Sequence, residues 1–400
     1  MKTISPIASH SLFAPILLLL MASPLMALEP SPVGEIFQNS PGDWEFVSNQ
    51  SDEFDSDQVD TAKWNINTED LGTWSWEPEN TFQLDGIMHL RMVQEDHQRG
   101  NNKLAYKSGI ARQYTTATYG YFEARVKGCD LFPGASPAFW LHSKGPENRF
   151  MATDGETVAY SEIDVIELQQ GEYNDTTKQN NGVDIIDCNL HAVLIRDGKR
   201  QWIRPGTHPE TNKNEYHASF DPRKDFHVYG VENNKDFVIW YIDGKEVARK
   251  PNLYWHLPMH ITLSLGLRRP FETYKNGGRE AVLENTTREG FPTEMLVDYV
   301  RVWRNKNTIA ESSTPNKQSN GSKVKTKTRS GNQLDNEVAG HSMSKSQFVA
   351  MEKAKWESNG WPWNREKVES NFEEIDVNND GVASGIERQK WFAKKKASLK

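Results

Sequence analysis

The stretch "YSEIDVIELQQ", residues 160–170, carries three acids, Glu162, Asp164 and Glu167, among residues that favour strands. In a flat strand, side chains alternate between faces. Glu162 and Asp164 then share one side, and Glu167 falls on the apolar side. In a helix the same acids, at i, i+2 and i+5, scatter around the axis. A β-bulge near Val165 and Ile166 resolves the conflict, because one extra residue restores parity and brings all three carboxyl groups to one face. The two glutamates then stand about four strand steps apart, on the order of 13 Å between backbones. Long side chains leaning inward close that gap to the roughly 5–5.5 Å of a carboxylate pair that cleaves glycosidic bonds with retention. Asp164 lies between them, where it can hold a proton or a hydrogen bond and separate their pKa values. The other reading is a solvated acidic face on an edge strand, against which stands the mutual repulsion of three clustered acids.

The surroundings of this stretch are strand-like from about 40 to 304. Short alternating runs such as "GIMHLRMV" (86–93), "YGYFEARVKG" (119–128), "PAFWLHS" (137–143), "FHVYGVEN" (226–233) and "HITLSLGLR" (260–268) are punctuated by Gly, Asn, Asp and Pro. "WYIDGKEVA" reads as a hairpin turning at Asp243-Gly244. Many short strands at this spacing predict an all-β fold, a sandwich or jelly roll.

Thirteen tryptophans in 400 residues suggest sugar-stacking platforms as well as core. The net charge of −8 excludes a generally basic, nucleic-acid-coating surface but leaves room for an anionic ligand held by a few local arginines. Lys2, the apolar run "LFAPILLLLMA" (12–22) and Ala27 read as an export signal over 1–27, too short to span a bilayer. Export to the periplasm or beyond the cell is therefore expected, with no membrane span. Cys129 and Cys188 are the two cysteines, either a disulfide or two buried thiols. Nothing in the sequence calls for a partner chain, and a monomer is expected.

After the β-rich region (28–304), residues 305–342 are rich in Ser, Thr, Asn and Lys and nearly devoid of large apolar groups, the composition of a flexible linker. Residues 343–400 turn helical. Within them "DVNNDGVASGIE" (376–387) fits a twelve-residue calcium loop. Asp376, Asn378 and Asp380 fall at positions one, three and five, and Gly381 at the sharp turn. Val382 offers its carbonyl, Ser384 stands at the water-bridged position, and Glu387 at the bidentate end. A degenerate partner loop is expected around 356–367. Calcium is thus the expected cofactor of this module, and catalysis is expected to need none.

"EIDVIE" resembles the bulged signature of glycoside hydrolase family 16, and among its members the κ-carrageenases. The resemblance covers most of 42–304. It is carried in order by "SDEFD" (51–55), "WSWEPEN" (74–80), "HQR" (97–99), "YGYFEARVKG", "FPGASPAFW" (132–140), "QWIRPGTHPETN" (201–212), "FDPRKDFHVYG" (220–230), "NLYWH" (252–256), "LGLR" (265–268) and "EGFPTEMLVDYVRVW" (289–303). It implies a β-jelly roll with a substrate cleft, with Glu162 as nucleophile, Glu167 as acid/base and Asp164 assisting. It also implies an endo-acting hydrolase of β-1,4 linkages in sulfated galactan. Arg268 matches an arginine placed near the substrate's sulfate, and Trp202 with Arg204 another cleft pair; an arginine fork suits sulfate oxygens. Trp74, Trp76 and Trp140 are read as sugar platforms or core, and His191 as orienting an acid or filling the core. Asp298 is implied as a ligand of a structural calcium. Placing "FEARVK", "PAFW", "EIDVIE" and "NLHAV" side by side brings Cys129 and Cys188 to the same end of one sheet.

The chain runs from "DHQRG" almost directly into "NNKLAYKSG" (101–109), where related enzymes carry a longer loop, so furcellaran, β-carrageenan and agar stay open beside κ-carrageenan. A non-catalytic galactan-binding protein is the reading from another class, although it has no need of both Glu162 and Glu167. A transglycosylase is a further one.

Overall fold

The structure, a computed structural model, describes residues 29–306 apart from 40–42, 71, 146–148, 172, 175, 178 and 276–277, together with parts of 343–391. The expected export signal and nearly all of the linker lie outside the described residues, as do Asn378, Asp380, Gly381, Ser384 and Glu387.

Two sheets, ten-stranded among the described residues, pack face to face. One runs in the order Lys199–Ile203, Leu190–Arg196, Thr157–Glu167, Ala135–His142, Met259–Leu267, Ile110–Ala117 and Trp64–Asn65. The other runs Lys245–Pro251, Phe237–Ile242, His227–Asn233, Gly120–Lys127, Thr293–Asn305, Ile87–Arg99, Asn102–Ser108 and Ser75–Trp76. The alternating sequence pattern builds this directly, because each strand sends one set of side chains into the space between the sheets. Ile163, Val165 and Ile166 are fully buried there, in the same core as Phe122, Val231 and Trp240. The result is a β-jelly roll. The Asp243-Gly244 turn has positive φ at both residues (47° and 75°), the twist that a two-residue hairpin needs.

The strand order corrects one expectation. Gly120–Lys127 belongs to the sheet opposite the acidic strand, paired with His227–Asn233 and Thr293–Asn305. Cys129 therefore sits where the chain crosses between sheets, and Cys129 and Cys188 are free, buried thiols. Burial pushes the Cys129 thiol up to about 12 and that of Cys188 upward as well, so both stay protonated and inert.

In the C-terminal region the helix Arg365–Ile375 is capped by Asn364, whose side chain accepts from the Lys367 amide (2.9 Å), and it buries Val368, Phe372 and Ile375 against Phe348 and Ala383. Asp376 follows at the helix end, and Val382–Ala383 pairs antiparallel with Met343–Ser344. The strand partner of the loop thus lies upstream of 356–367, where the degenerate half was expected; 356–362 lies outside the described residues.

Candidate active site

The register between Thr157–Glu167 and Ala135–His142 fixes the position of the three acids. Glu162 pairs with His142 and Asp164 with Trp140, then the register slips, and Ile166 pairs with Phe139 and Glu167 with Ala138. Val165 is the extra residue. The bulge puts Glu162, Asp164 and Glu167 on one face, away from Ile163, Val165 and Ile166 in the core. The Asp164 carbonyl, beside the interruption in the ladder, accepts from Trp240 Nε1 across the sandwich (2.9 Å) and is satisfied there.

All three acids line a cavity of about 220 Å³ with Trp74, Trp76, Trp140, His191, Arg268 and Arg279, floored by the small residues Ser136, Ala138, Ser264 and Gly266. The Tyr160 hydroxyl donates to Glu162 Oε2. His191, directly across from Glu162, brings Nε2 to 3.2 Å from Asp164 Oδ2 and 3.7 Å from Glu162 Oε1. Burial works against a charged ring, but the carboxylates of Glu162 and Asp164 outweigh it and lift His191 to about 9. Burial raises Asp164 to about 7 despite the imidazole beside it, so this pair holds a proton at neutral pH. Glu162, Asp164 and His191 present donor atoms within 4.8 Å of one another, close enough for a cation, and the imidazolium already supplies positive charge at that point.

Glu167 is held differently. Burial opposes its ionisation, but the guanidinium of Arg268, which donates from Nη2 to Oε1, and then the charge of His191 keep it below the usual carboxylate range. Asp187 sits across the ladder from Glu167, and burial followed by the Glu167 charge pushes it up to about 7.

The remaining expected residues divide into three groups. Trp74 and Trp76 line the cavity yet are almost wholly buried, packed edge to face at 5.3 Å, so they form its wall as part of the core. Trp140 is half-buried, bonds Ser264 through Nε1 (3.1 Å) and stacks on His142. Trp202, 41 % exposed, and Arg204 stand outside the cavity lining. The Trp202 ring meets Tyr160 edge-on at 5.4 Å, and the Arg204 guanidinium lies 4.2 Å from the Trp202 centroid. Arg204 Nη1 also donates to Tyr274 Oη (3.1 Å), tying the wall beside Lys199–Ile203 to the hairpin Glu272–Ala281 that follows the strand Met259–Leu267. Asp298 lies on the other sheet, where its carboxylate accepts from Arg125 Nη1 (2.6 Å).

Tyr160, Asp187, Tyr274 and Arg279 were not foreseen. Tyr160 was within reach, since it shares strand parity with Glu162. Arg279 reaches the cavity only because buried Glu272 anchors its guanidinium and Trp74 lies beneath it, a tertiary arrangement with no local signal.

A jelly roll with a bulged strand presenting carboxyl groups to a cleft is the scaffold of a glycoside hydrolase. Residues 44–305 match the model of the β-porphyranase A–D, GH16 domain. The chain is 42 % identical over 315 residues to the κ-carrageenase of Pseudoalteromonas carrageenovora, covering 76 % of this chain and 74 % of that one. The crystal structure of that enzyme with an oligotetrasaccharide of κ-carrageenan superposes with a TM-score of 0.59 at 44 % identity, over 66 % of this chain and 96 % of the other. The κ-carrageenase zobellia_236 of Zobellia galactanivorans gives 0.59 at 40 % identity, over 66 % and 97 %. The chain belongs to glycoside hydrolase family 16. Among the described residues no helix is long and apolar enough to cross a membrane.

Proposed function

We propose that the protein is an exported, endo-acting, retaining hydrolase of β-1,4 linkages in sulfated red-algal galactan, with κ-carrageenan its substrate. The observation that carries this reading is the pairing, in one cavity, of the three acids with Arg268, a cation that a neutral sugar does not need. Similarity to two κ-carrageenases supports the substrate class, and the apolar run 12–22 supports export.

In this mechanism Glu162, steadied by Tyr160 and His191, attacks the anomeric carbon while Glu167 gives its proton to the departing glycosidic oxygen. Water then attacks the glycosyl-enzyme, Glu167 takes a proton from it, and the product leaves with its configuration retained. Asp164, sharing its proton with His191, keeps the negative charge between the two glutamates low. Trp140 offers a half-buried ring beside the acids for a pyranose face.

A second substrate, furcellaran, is favoured by one feature. Strands Ile87–Arg99 and Asn102–Ser108 are joined by Gly100-Asn101 alone, so no long loop overhangs this end of the cleft to demand uniform sulfation. Incubation with pure κ-carrageenan, furcellaran and agarose, followed by sizing of products, decides the matter. New reducing ends from κ-carrageenan are expected, first as long fragments; none from any of the three would sink the hydrolase reading.

For the C-terminal module we propose an EF-hand that binds calcium through Asp376, Asn378, Asp380, the Val382 carbonyl and Glu387. Asp376 at the end of a helix and Val382–Ala383 in a short paired strand support it, since these are the places that loop positions one, seven and eight take.

A further inference from the structure

Arg268 and Glu167 stand in a relation that the chemistry of the first step does not tolerate. To cleave, Glu167 must carry a proton, and an arginine bonded to its carboxylate favours the form without one. Arg268 cannot resolve this by giving up its own proton, because a guanidinium stays charged in a protein. The pair therefore has to part before the bond breaks.

The geometry shows how it can. The Arg268 side chain is about a quarter exposed, at 26 %, and lines the cavity. One nitrogen, Nη1, rests on the Leu267 carbonyl (2.9 Å), while Nη2 reaches Glu167. The space it occupies is kept by Gly266, where a Cβ would lie 3.0 Å from Nη1. Arg279, the other guanidinium on the lining, is committed to buried Glu272. Among the described residues it is Arg268 that joins the proton donor to the open space in which substrate lies.

We propose that Arg268 is exchanged between Glu167 and a sulfate ester of the substrate, so that binding of the ester frees Glu167 to take up the proton it delivers. The proposal rests on the sulfated-galactan reading above. A planar guanidinium presents two N–H groups to sulfate oxygens as well as to a carboxylate, so the partners compete for the same fork. Once the fork has moved, Glu167 faces Glu162 and Asp164 on its own strand, Asp187 across the ladder and the incoming sulfate, with His191 and Arg279 left as cations. The carboxylate takes a proton from solvent and passes it to the glycosidic oxygen. It recovers a proton from the attacking water in the second step, and the sulfate stays esterified throughout. Sulfation would then be read in kcat as well as in binding, because a neutral galactan can lie in the cleft without arming the acid.

Two measurements test the exchange. Calorimetric titration of the Glu162→Gln protein with a κ-carrageenan oligosaccharide, in buffers of different ionisation enthalpy, is expected to show net proton uptake approaching about one per site. In the wild-type enzyme the alkaline limb of kcat should lie at least about one pH unit, a tenfold change in proton affinity, above that of kcat/KM. In Arg268→Gln the two limbs should coincide. Binding without proton uptake, or coincident limbs in the wild type, overturns the exchange even if κ-carrageenan is cleaved, and the wild-type profile needs no variant to fold. Failure of any sulfated galactan to bind or be cleaved removes the substrate reading and the exchange together.

Discussion

The indole of Trp240 is the support on which the bulge rests, and replacing it with phenylalanine tests that role. Phe keeps the ring in the core but cannot donate, so the Asp164 carbonyl is left buried without a partner. An orphaned buried acceptor costs about 1–3 kcal/mol, to which the lost ring atoms add a cavity cost. Trp44→Phe separates the two contributions. Trp44 is also buried, its indole N–H has no partner among the described residues, and the substitution removes the same atoms without breaking a bond seen there. The excess of Trp240→Phe over Trp44→Phe should therefore be about 1–3 kcal/mol, or roughly 2–12 °C in melting temperature for a domain of this size. Urea unfolding followed by circular dichroism gives the first figure, and thermal melts the second. Because the bulge aims Glu167, kcat should also fall in Trp240→Phe while KM changes little. Equal destabilisation of the two variants, with kcat intact, would refute the role given to this hydrogen bond.

Glu162→Gln should lower turnover at least ~10³-fold while oligosaccharide binding survives, and near-normal turnover would remove Glu162 as nucleophile. His191 binds its proton more tightly folded than unfolded. Its contribution to stability is complete below its unfolded pKa of about 6.5 and is lost as pH rises through about 9. Asp164, raised to about 7, acts in the same direction at lower pH. Melting temperatures measured from pH 6 to 10 should decline in the wild type and flatten above neutrality in His191→Asn; parallel curves would show that the imidazolium is not held as described. Calorimetry of the full chain should register one calcium ion whose binding is lost in Asp380→Ala, with release of reducing ends unchanged. Calcium uptake that persists in Asp380→Ala would place the ion elsewhere.

Strand periodicity carried most of the fold into view before any coordinates. The parity conflict in "EIDVIE" located the bulge within one residue of Val165, because a buried face tolerates no slip in register. Sheet membership was harder to read. "FEARVK" has the alternation of either sheet, and only its partners, 100 and more residues away, assign it to the opposite one. The same limit explains the arginines. Arg268 was legible as a cleft residue only through the resemblance of the stretch around it to the κ-carrageenases, whereas its bond to Glu167 spans 101 positions in the chain. Trp74 and Trp76 could not be divided between core and cleft because they serve as both, almost wholly buried and yet lining the cavity.

The bulge does more than align three acids. Across the neighbouring strands the residues form rows on the cleft side: Glu162 beside His142 and His260, Asp164 beside Trp140 and Thr262, and Glu167 beside Ala138 and Ser264. The first row is filled by two imidazoles and the second by the Trp140 indole. The third is floored by small side chains, with Ser136 and Gly266 paired next to it. In an unbulged strand Glu167 would fall on the parity of Phe139, whose ring is wholly buried in the core. One added residue thus moves a carboxylate out of the apolar layer and into the row where the sheet is thinnest. A cavity exists there because no side chain fills it, and the space lets Arg268 reach Glu167 from the end of Met259–Leu267, across the intervening strand Ala135–His142. Acid, anion-binding cation and room for the sugar therefore share a single origin. A larger residue at Ala138 or Gly266 would disturb all three at once while leaving Glu162 and Asp164 in their rows.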